Sequence, residues 1–334
     1  MDTGAVKTLF LPLASGDVPS GSRQARWLFL NAAVPPIENP LAKTQIAAVQ
    51  TMRPQFNALK DADFAVTPEA PDGLFEGALV LISRHRGQTR ALINQALDRV
   101  VPGGMIVCAG GKHDGIEAMA KEAARLFPLA GNLSKHHARV FWFANSGAAR
   151  FENPPPVLAD GRFETASGMF SSGHADPGSA FLMEHLPRDL KGHIADFCAG
   201  WGYLSVEAAH TCPKVKTIAL YEADHAALDA AKANMARLAP DLAASFHWLD
   251  LAGEPVAEAF DTIIMNPPFH AGRRAEPEIG GAIIRSAANA LHRGGSLYMV
   301  ANRTLPYEDV LAAAFHKSGE LARNGSYKVL WALK

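Results

Sequence analysis

Short apolar runs alternate with amphipathic stretches along most of this chain, and the alternation occurs twice. In the first half, patterns typical of buried strands occupy 77–83, 105–110 and 138–144, and helical patterns occupy 88–100 and 114–127. In the second half, strand patterns occupy 193–200, 216–222, 243–248, 260–265 and 296–302, and helical patterns occupy 206–210, 224–238 and 280–295. Strands that alternate with helices are typical of a parallel, doubly wound α/β sheet. The sequence therefore predicts two such sheets in tandem.

The two halves also share a local pattern. The stretch LDRVVPGGMIVCAG resembles ANALHRGGSLYMVAN closely enough to indicate duplicated domains. Between the halves, residues 151–167 contain three consecutive prolines with glycine and polar residues, a composition typical of an extended connection. We therefore predict a first domain at 1–150, a linker at 151–167 and a second domain at 168–334.

Composition is that of an ordinary soluble globular protein. Of 334 residues, 48% are hydrophobic and 19% are charged. No apolar run approaches the roughly 20 residues of a membrane-spanning helix, and the N-terminus does not resemble a signal peptide. The three cysteines form no Cys-x-x-Cys pair, so neither a disulfide framework nor a metal site is expected. We expect a cytoplasmic, monomeric protein that does not associate with membranes.

Charge is unevenly distributed, although the net charge is only −1. Residues 84–150 carry ten Lys and Arg against four Asp and Glu, whereas residues 151–334 carry 16 against 21. A solvated basic surface is the simplest explanation of such an excess. The alternative is a surface that contacts phosphate groups, because several basic residues fall in predicted strand-end loops: Arg84, Arg86, Lys112, Lys135 and Arg139.

The second half carries acids and glycines at successive strand ends. Asp196 ends the first strand, and Gly200 and Gly202 follow in a turn that lets a ligand approach backbone N–H groups. Glu222 ends the next strand, where an acid is placed to accept the ribose hydroxyls of a nucleoside. Asp250 follows the third strand, where an adenine amino group could meet it. A plain tight turn explains the two glycines equally well.

The motif Asn266-Pro267-Pro268-Phe269 follows the fourth strand of this half. A stiff turn is the simpler explanation, since Asn and Pro are common turn residues, but doubly wound sheets bind ligands at this position. The Asn266 side-chain oxygen and the Pro267 carbonyl can each accept one N–H of an exocyclic amino group, and Phe269 offers a face for a base to stack on. Because such a nitrogen is a weak nucleophile, this positioning suits attack on the methyl group of a sulfonium.

Several stretches of the second half together resemble the bacterial ribosomal RNA small subunit methyltransferase C family. They are GMFSSGHADPGSAFL, DFCAGWGYLS, NPPFH, VANRTLPYEDVL and SYKVLWA. The resemblance implies a class I methyltransferase that uses S-adenosylmethionine to methylate the exocyclic N2 of a guanine in ribosomal RNA. Its partner would be the RNA or the small ribosomal subunit. The resemblance also implies two tandem methyltransferase-like sheets of Rossmann type, of which the first lacks a cofactor site.

The resemblance assigns roles to individual residues. It implies that the guanine is held by Asn266, Pro267 and Phe269. It implies that the cofactor is held by Asp196, Gly200, Gly202, Glu222 and Asp250. A segment that lies over the cofactor pocket in the family corresponds here to Phe170, Asp176, Gly178 and Ser179.

Two residues depart from the family pattern. Cys198 replaces the first glycine of the cofactor loop, and Trp201 replaces a small residue between the last two glycines. Because cysteine tolerates a positive φ less well than glycine, we expect a shifted loop and weaker cofactor binding.

Alternative functions remain open at this point. The same Asn-Pro-Pro-aromatic motif serves methylation of adenine N6 and of a glutamine side chain in release factors. A non-catalytic RNA-binding or ribosome-assembly protein is a further alternative, with Cys198 and Trp201 as signs of a decaying cofactor loop. For the first domain we expect a degenerate methyltransferase-like fold that supports the second domain and contacts RNA.

Overall fold

The computed structural model describes residues 3–147, 149–152, 157–166, 168–268 and 276–334. The chain divides into two compact units, Met1–Pro155 with Ala166–Gly168 and Pro156–Thr165 with Met169–Lys334. Within the described ranges, no helix is both long enough and apolar enough to cross a bilayer. Each unit is built around one seven-stranded sheet.

The first unit is a mostly parallel sheet with helices on both faces. Its strands are β1 (Trp27–Leu30), β2 (Ile46–Val49), β3 (Ala65–Thr67), β4 (Phe75–Leu81), β5 (Val100–Gly111), β6 (Leu129–Lys135) and β7 (Ala138–Ala144). Its helices are α1 (Thr3–Leu9), α2 (Leu11–Ala14), α3 (Arg53–Asp61), α4 (Arg86–Arg99) and α5 (Ile116–Leu126). The strand order is β3-β2-β1-β4-β5-β7-β6. In this described sheet, β7 runs in the opposite direction to the other six strands.

The central strands of this sheet are buried on both faces, which explains their continuous apolar runs. In β1, Trp27 and Phe29 pack on one face, and Leu28 and Leu30 pack on the other. Gly77 on β4 lies directly against Trp27, so a Cβ added there would be 2.5 Å from the indole ring. Glycine at this position therefore lets the largest side chain of β1 fit into the core.

The second unit repeats this architecture. A hairpin of β8 (Val157–Ala159) and β9 (Phe163–Thr165) precedes its sheet. The sheet strands are β10 (Lys191–Phe197), β11 (Lys214–Glu222), β12 (Ala243–Trp248), β13 (Phe260–Met265), β14 (Leu291–Asn302), β15 (Lys317–Arg323) and β16 (Tyr327–Leu333). The helices are α6 (Pro177–His185), α7 (Tyr203–Thr211), α8 (His225–Leu238), α9 (Glu276–Asn289) and α10 (Glu308–Ala314). The strand order β12-β11-β10-β13-β14-β16-β15 matches that of the first unit, and the predicted fold class of two tandem, doubly wound α/β sheets is confirmed.

In the second sheet, the order in which the chain adds strands reverses at the central strand β10. From β10 the chain passes through β11 to the edge strand β12, and it then returns to β13 on the other side of β10. Ile194 of β10 packs on one face with residues of α6, α7 and α8, whereas Phe197 packs on the other face with residues of α9 and α10. Folds of this kind bind ligands in the crevice at the carboxyl ends of the two strands where the order reverses, here β10 and β13.

Part of the stretch that we expected to be a linker is folded in the structure. Residues 157–165 form the hairpin β8–β9 and belong to the second unit, whereas the prolines at 154–156 lie outside the described residues. Buried Phe163 lies against Trp201, with ring centroids 5.0 Å apart. The Asn234 side chain bonds both backbone groups of Glu164. These contacts fold a stretch rich in turn residues into a packed hairpin.

One helix boundary also differs. The helix expected over 280–295 ends at Asn289, because Leu291 already begins β14 and pairs with Phe260 of β13. The glycines that were expected to end the helix lie within β14, and Gly294 has a φ of +81°.

Candidate active site

Polar side chains meet at the carboxyl edge of the second sheet. Asp196 is the last residue but one of β10, Glu222 is the last residue of β11, and Asn266 directly follows β13. Asp250 lies two residues beyond β12. Since these four strands are parallel and lie side by side, their carboxyl ends share one edge, and the structure brings the predicted acids and Asn266 together.

The loop between β10 and α7 has a left-handed backbone at three positions. The φ angles are +61° at Cys198, +54° at Gly200 and +89° at Gly202. Glycine adopts this conformation freely, whereas it costs other residues about 1–2 kcal/mol. Gly202 is also close to α8, where an added Cβ would lie 3.3 Å from Ala231. The cysteine at the first position therefore does not prevent the left-handed turn, although it strains it.

Glu222 holds this loop in place. Its Oε2 accepts a hydrogen bond from the backbone N–H of Gly200 at 2.8 Å, and its Oε1 accepts from Ala223 at 2.8 Å and Asp224 at 2.9 Å. Burial raises the pKa of Glu222, and these backbone donors oppose the shift. A carboxylate has about four lone-pair sites, so roughly one is left. The two ribose hydroxyls of a nucleoside would therefore have to displace one of the backbone bonds.

Asp196 is the most deeply buried acid of the site, with no exposed surface. Ser205 on α7 donates a hydrogen bond of 2.7 Å to Oδ2, and Oδ1 is buried without a partner among the described residues. Burial raises the pKa of Asp196 to about 7, the charge of Glu222 adds to the shift, and the Ser205 hydroxyl opposes it. A buried carboxylate oxygen without a donor is costly, so this atom is suited to a cationic or hydrogen-bonding ligand.

The Cys198 thiol lies among the three acids. Burial raises its pKa well above the ordinary value, and the charges of Glu222, Asp196 and Asp250 add to the shift. Asp250 itself closes a turn, in which its Oδ1 accepts from the backbone N–H of Ala252 at 3.0 Å. Three carboxylates around one loop favour a ligand with positive charge.

Asn266 has one half of its amide anchored and the other half unpaired. Its Nδ2 donates to Asp176 Oδ2 at 2.9 Å and to Ser179 Oγ at 2.8 Å. Its Oδ1 is buried and has no partner among the described residues. Pro267 after it is buried, whereas Phe269 lies outside the described residues. The site therefore presents one unpaired acceptor at the end of β13.

The Trp201 side chain is hydrogen-bonded to the backbone of Phe170. The Trp201 indole N–H donates to the Phe170 carbonyl at 2.8 Å, while the Phe170 side chain is 51% exposed. Trp201 is buried among the core residues of the unit, where it contacts Tyr203. The bulky residue between the two glycines is thus accommodated in the core and anchors the preceding segment to the loop.

Comparisons with known proteins place this arrangement in a family. Residues 160–331 match the family model of the methyltransferase small domain. The ribosomal RNA small subunit methyltransferase C of Erwinia tasmaniensis is 34% identical over 239 residues, which cover 70% of this chain and 68% of that protein. This chain belongs to the ribosomal RNA small subunit methyltransferase C family. The family member of Shewanella loihica is 29% identical over 268 residues, which cover 76% of each protein.

A solved structure extends the match to both units. The 16S rRNA N2 G1207 methyltransferase of T. thermophilus, in complex with AdoMet and guanosine, matches with a TM-score of 0.77 at 25% identity. The match covers 97% of this chain and 92% of that one. The resemblance found in the sequence is thereby confirmed, and the chain is an S-adenosylmethionine-dependent methyltransferase.

The residues at the edge of the second sheet fit that cofactor. S-adenosylmethionine carries a sulfonium and an ammonium group, and the unpaired Oδ1 of Asp196 suits such a cation. Gly200 and Gly202 have no side chain that could obstruct a ligand at the loop, and their own N–H groups donate to Glu222 Oε2 and to the Ala199 carbonyl. The role of each residue stays a prediction, which the variants below test.

Sequence reasoning missed two contributions to the site. Ser205 and its bond to Asp196 have no distinctive pattern, because a serine in the first turn of a helix is common. Asp176 and Ser179 were assigned to a segment over the cofactor, and their contact with Asn266 was not expected. The Asp-Pro-Gly-Ser pattern does predict a helix start with Asp176 as N-cap and Pro177 in the first turn, which is how α6 begins.

Proposed function

We propose that this enzyme transfers the methyl group of S-adenosylmethionine to the exocyclic N2 of a guanine in small-subunit ribosomal RNA. The observation that carries the proposal is the buried, unpaired Oδ1 of Asn266 at the carboxyl end of β13. The activity named for the T. thermophilus structure, and its bound guanosine, support the choice of guanine. The names of the relatives from E. tasmaniensis and S. loihica support ribosomal RNA.

Orientation of the target nitrogen is the main task of this site. The lone pair of an exocyclic amine is delocalised into the ring, so the amine attacks poorly unless its N–H bonds are directed. Asn266 Oδ1 and the Pro267 carbonyl can each accept one N–H, which turns the remaining lone pair towards the methyl donor. Neither acceptor is basic at neutral pH. We therefore expect them to position the nitrogen and not to remove its proton before attack.

The cofactor supplies an activated methyl group when it is bound. The residues around the loop would bind and orient it: Asp196 of β10 offers a carboxylate oxygen to its positive charge, and Glu222 of β11 fixes the loop through Gly200. These acids lie in a partly or fully buried setting, where a charge interaction is less screened than in water. The three cysteines are unpaired, and we place the enzyme in the reducing cytoplasm.

The first unit is our candidate for contacts with RNA phosphates. Of the basic residues expected in its loops, Arg86 and Arg139 form ion pairs with Glu122 and Glu117. Three others are exposed and have no acidic partner within the described residues: Arg84, Lys112 and Lys135. Unpaired cations on a surface can hold a polyanion without reading its sequence. We propose that these three residues contribute most of that attraction.

Two measurements test the proposed activity. Mass spectrometric mapping of ribosomal RNA from a strain without this protein should show the loss of one N2-methylguanine from the small-subunit RNA. Purified enzyme with labelled S-adenosylmethionine should restore that modification on RNA or subunits from the same strain. Label on adenine or on a release-factor glutamine would contradict the guanine assignment, and no transfer with intact cofactor binding would favour a non-catalytic RNA-binding protein.

A further inference from the structure

The amide of Asn266 is held by residues about ninety positions earlier in the chain, at the start of α6. Asp176 Oδ2 lies 2.9 Å and Ser179 Oγ 2.8 Å from Asn266 Nδ2, so both N–H groups of the amide have an acceptor. The side chains of Asp176 and Ser179 are buried, with 7% exposure each. These hydrogen bonds therefore do not compete with bulk water.

The start of α6 is itself a rigid element. Asp176 is its N-cap, and the same Oδ2 accepts from the backbone N–H of Ser179 at 2.8 Å. Pro177 fixes the first helical residue. Gly178 keeps the space beside the carboxylate open, because an added Cβ would lie 2.9 Å from Asp176 Oδ2. One carboxylate oxygen thus fixes both the helix start and the amide of Asn266.

These contacts select one of the two possible orientations of the amide. A carboxylate can only accept hydrogen bonds, so the half of the amide that faces Asp176 must be the NH₂ group. In the reversed orientation, Oδ1 of Asn266 would face a negatively charged oxygen, and NH₂ would face the substrate. An NH₂ group cannot accept an N–H from an amine, so the reversed orientation cannot position the target nitrogen.

We propose that Asp176 and Ser179 are positioning residues for methyl transfer, which lock Asn266 with its oxygen towards the substrate amine. The negative charge of Asp176 also polarises the amide and makes Oδ1 a better acceptor. The inference rests on the proposed function, since it assigns Asn266 Oδ1 to an amine. It adds that the site depends on an anchor outside the Asn-Pro-Pro motif.

Graded variants separate this role from helix capping. Serine is a good N-cap but is too short to reach Asn266, so Asp176→Ser keeps the start of α6 and removes the anchor. Combined with Ser179→Ala, it should lower kcat about tenfold or more. The KM for RNA and the Kd for S-adenosylhomocysteine should stay close to those of the unmodified enzyme. Asp176→Asn keeps an acceptor oxygen without the charge, so it should lose less than Asp176→Ser.

A double-mutant cycle with Asn266→Ala shows whether the anchor acts through Asn266. Once Asn266 is absent, the Asp176→Ser/Ser179→Ala changes should cause no further loss of kcat. Losses that multiply, or an unchanged kcat in Asp176→Ser/Ser179→Ala, would overturn the inference. Thermal unfolding of each variant shows whether a loss of activity is only a loss of fold.

A measurement without substrate keeps the inference separate from the proposed function. In protein labelled with ¹⁵N-asparagine, the side-chain NH₂ signal of Asn266 is the one that disappears in Asn266→Ala. It should exchange slowly with solvent in the unmodified protein and rapidly in Asp176→Ser/Ser179→Ala. Fast exchange in the unmodified protein overturns the anchor. Slow exchange in an enzyme that does not methylate guanine would instead refute the proposed substrate and leave the anchor intact.

Discussion

The two sheets have the same strand order, but they end their strands with different residues. In the first sheet the N–H of Ala32 bonds to the carbonyl of Val49 at 3.0 Å, and in the second the N–H of Ala199 bonds to that of Tyr221 at 3.0 Å. This shared bridge aligns β1 with β10 and β2 with β11, and the strand registers extend the alignment to β4 and β13. Three candidate site residues then have counterparts: Asp196 in Phe29, Glu222 in Gln50 and Asn266 in Leu81.

The side chains of the three counterparts offer a ligand no unpaired hydrogen-bonding group. Phe29 and Leu81 are apolar and buried in the core. Gln50 is buried too, and its Nε2 donates to Ala32 O at 2.6 Å while its Oε1 accepts from Met52 N at 2.9 Å. The connection after β1 contains a short 3₁₀ turn, whereas a glycine loop and α7 follow β10. The fold therefore gives both units the same carboxyl edge of the sheet, and a few residues at the strand ends decide whether that edge can bind and orient a substrate.

The largest effect is expected when Asn266 of the Asn-Pro-Pro motif is replaced by leucine, the residue at the same position of the first sheet. Asn266→Leu should lower kcat about a hundredfold or more, since removal of one positioned hydrogen-bonding group from an active site costs about 10²–10³ in kcat. The Kd for S-adenosylhomocysteine should change little, whereas the melting temperature should fall, because buried Asp176 and Ser179 lose their hydrogen-bond donor. Methyl transfer at the unmodified rate would show that the strand-end amide is not what separates the two sheets.

The next prediction concerns charge, in which the units also differ. Reversal of Arg84, Lys112 and Lys135 to Glu should raise the KM for RNA and flatten its dependence on salt, because each lost phosphate contact reduces the slope by about 0.7–0.9. Cofactor affinity should not change. A control variant with the same change in net charge reverses Lys7, Arg23 and Lys60. Equal salt slopes in both triple variants would show that Arg84, Lys112 and Lys135 form an ordinary solvated surface.

The second sheet has a buried titratable group, Asp196, where the first sheet has Phe29, which cannot titrate. The pH dependence of stability should therefore reflect this difference between the sheets. In the folded protein without cofactor, burial raises the pKa of Asp196 from 3.8 to about 7. The contribution of protonated Asp196 to the free energy of unfolding is therefore fully present below pH 4. It is lost as the pH rises towards 7, by up to about 1.4 kcal/mol per pH unit. Melting curves between pH 4 and 8 should therefore be flatter for Asp196→Asn. Parallel curves for the two proteins would contradict the raised pKa.

A smaller loss is expected when Glu222 is replaced by the glutamine of the first sheet. In Glu222→Gln one oxygen becomes an NH₂ group, which cannot accept from Gly200 while the other oxygen serves Ala223 and Asp224. The loop should loosen, and S-adenosylhomocysteine should bind about 1–3 kcal/mol more weakly by calorimetry. An unchanged Kd would mean that the acid at this strand end is not needed to shape the loop or to hold the cofactor.

The sequence predicts more strands of the second sheet than of the first, and it does not predict long-range contacts. Strands β7, β12 and β13 begin and end where the apolar runs do, whereas the buried four-residue strand β1 has no counterpart among the predicted strands. The edge strand β15 is largely exposed and polar, so its sequence lacks that pattern. The contact of Asn266 with Asp176 joins residues from distant parts of the chain, and no local pattern can show which helix start reaches which strand end. Packing decides such contacts, and only the structure gives them.

The smallest effect concerns a backbone conformation that both sheets share. The residue after β1 is Asn31, with a φ of +53°, and the residue after β10 is Cys198, with a φ of +61°. Asparagine tolerates the left-handed region, whereas cysteine does not favour it. Cys198→Gly and Cys198→Ala both remove the thiol, but only the first relieves the strain, so the glycine variant should be more stable by about 1 kcal/mol. Urea unfolding of the two variants measures the difference. Equal midpoints would show that the second sheet carries no strain at this position.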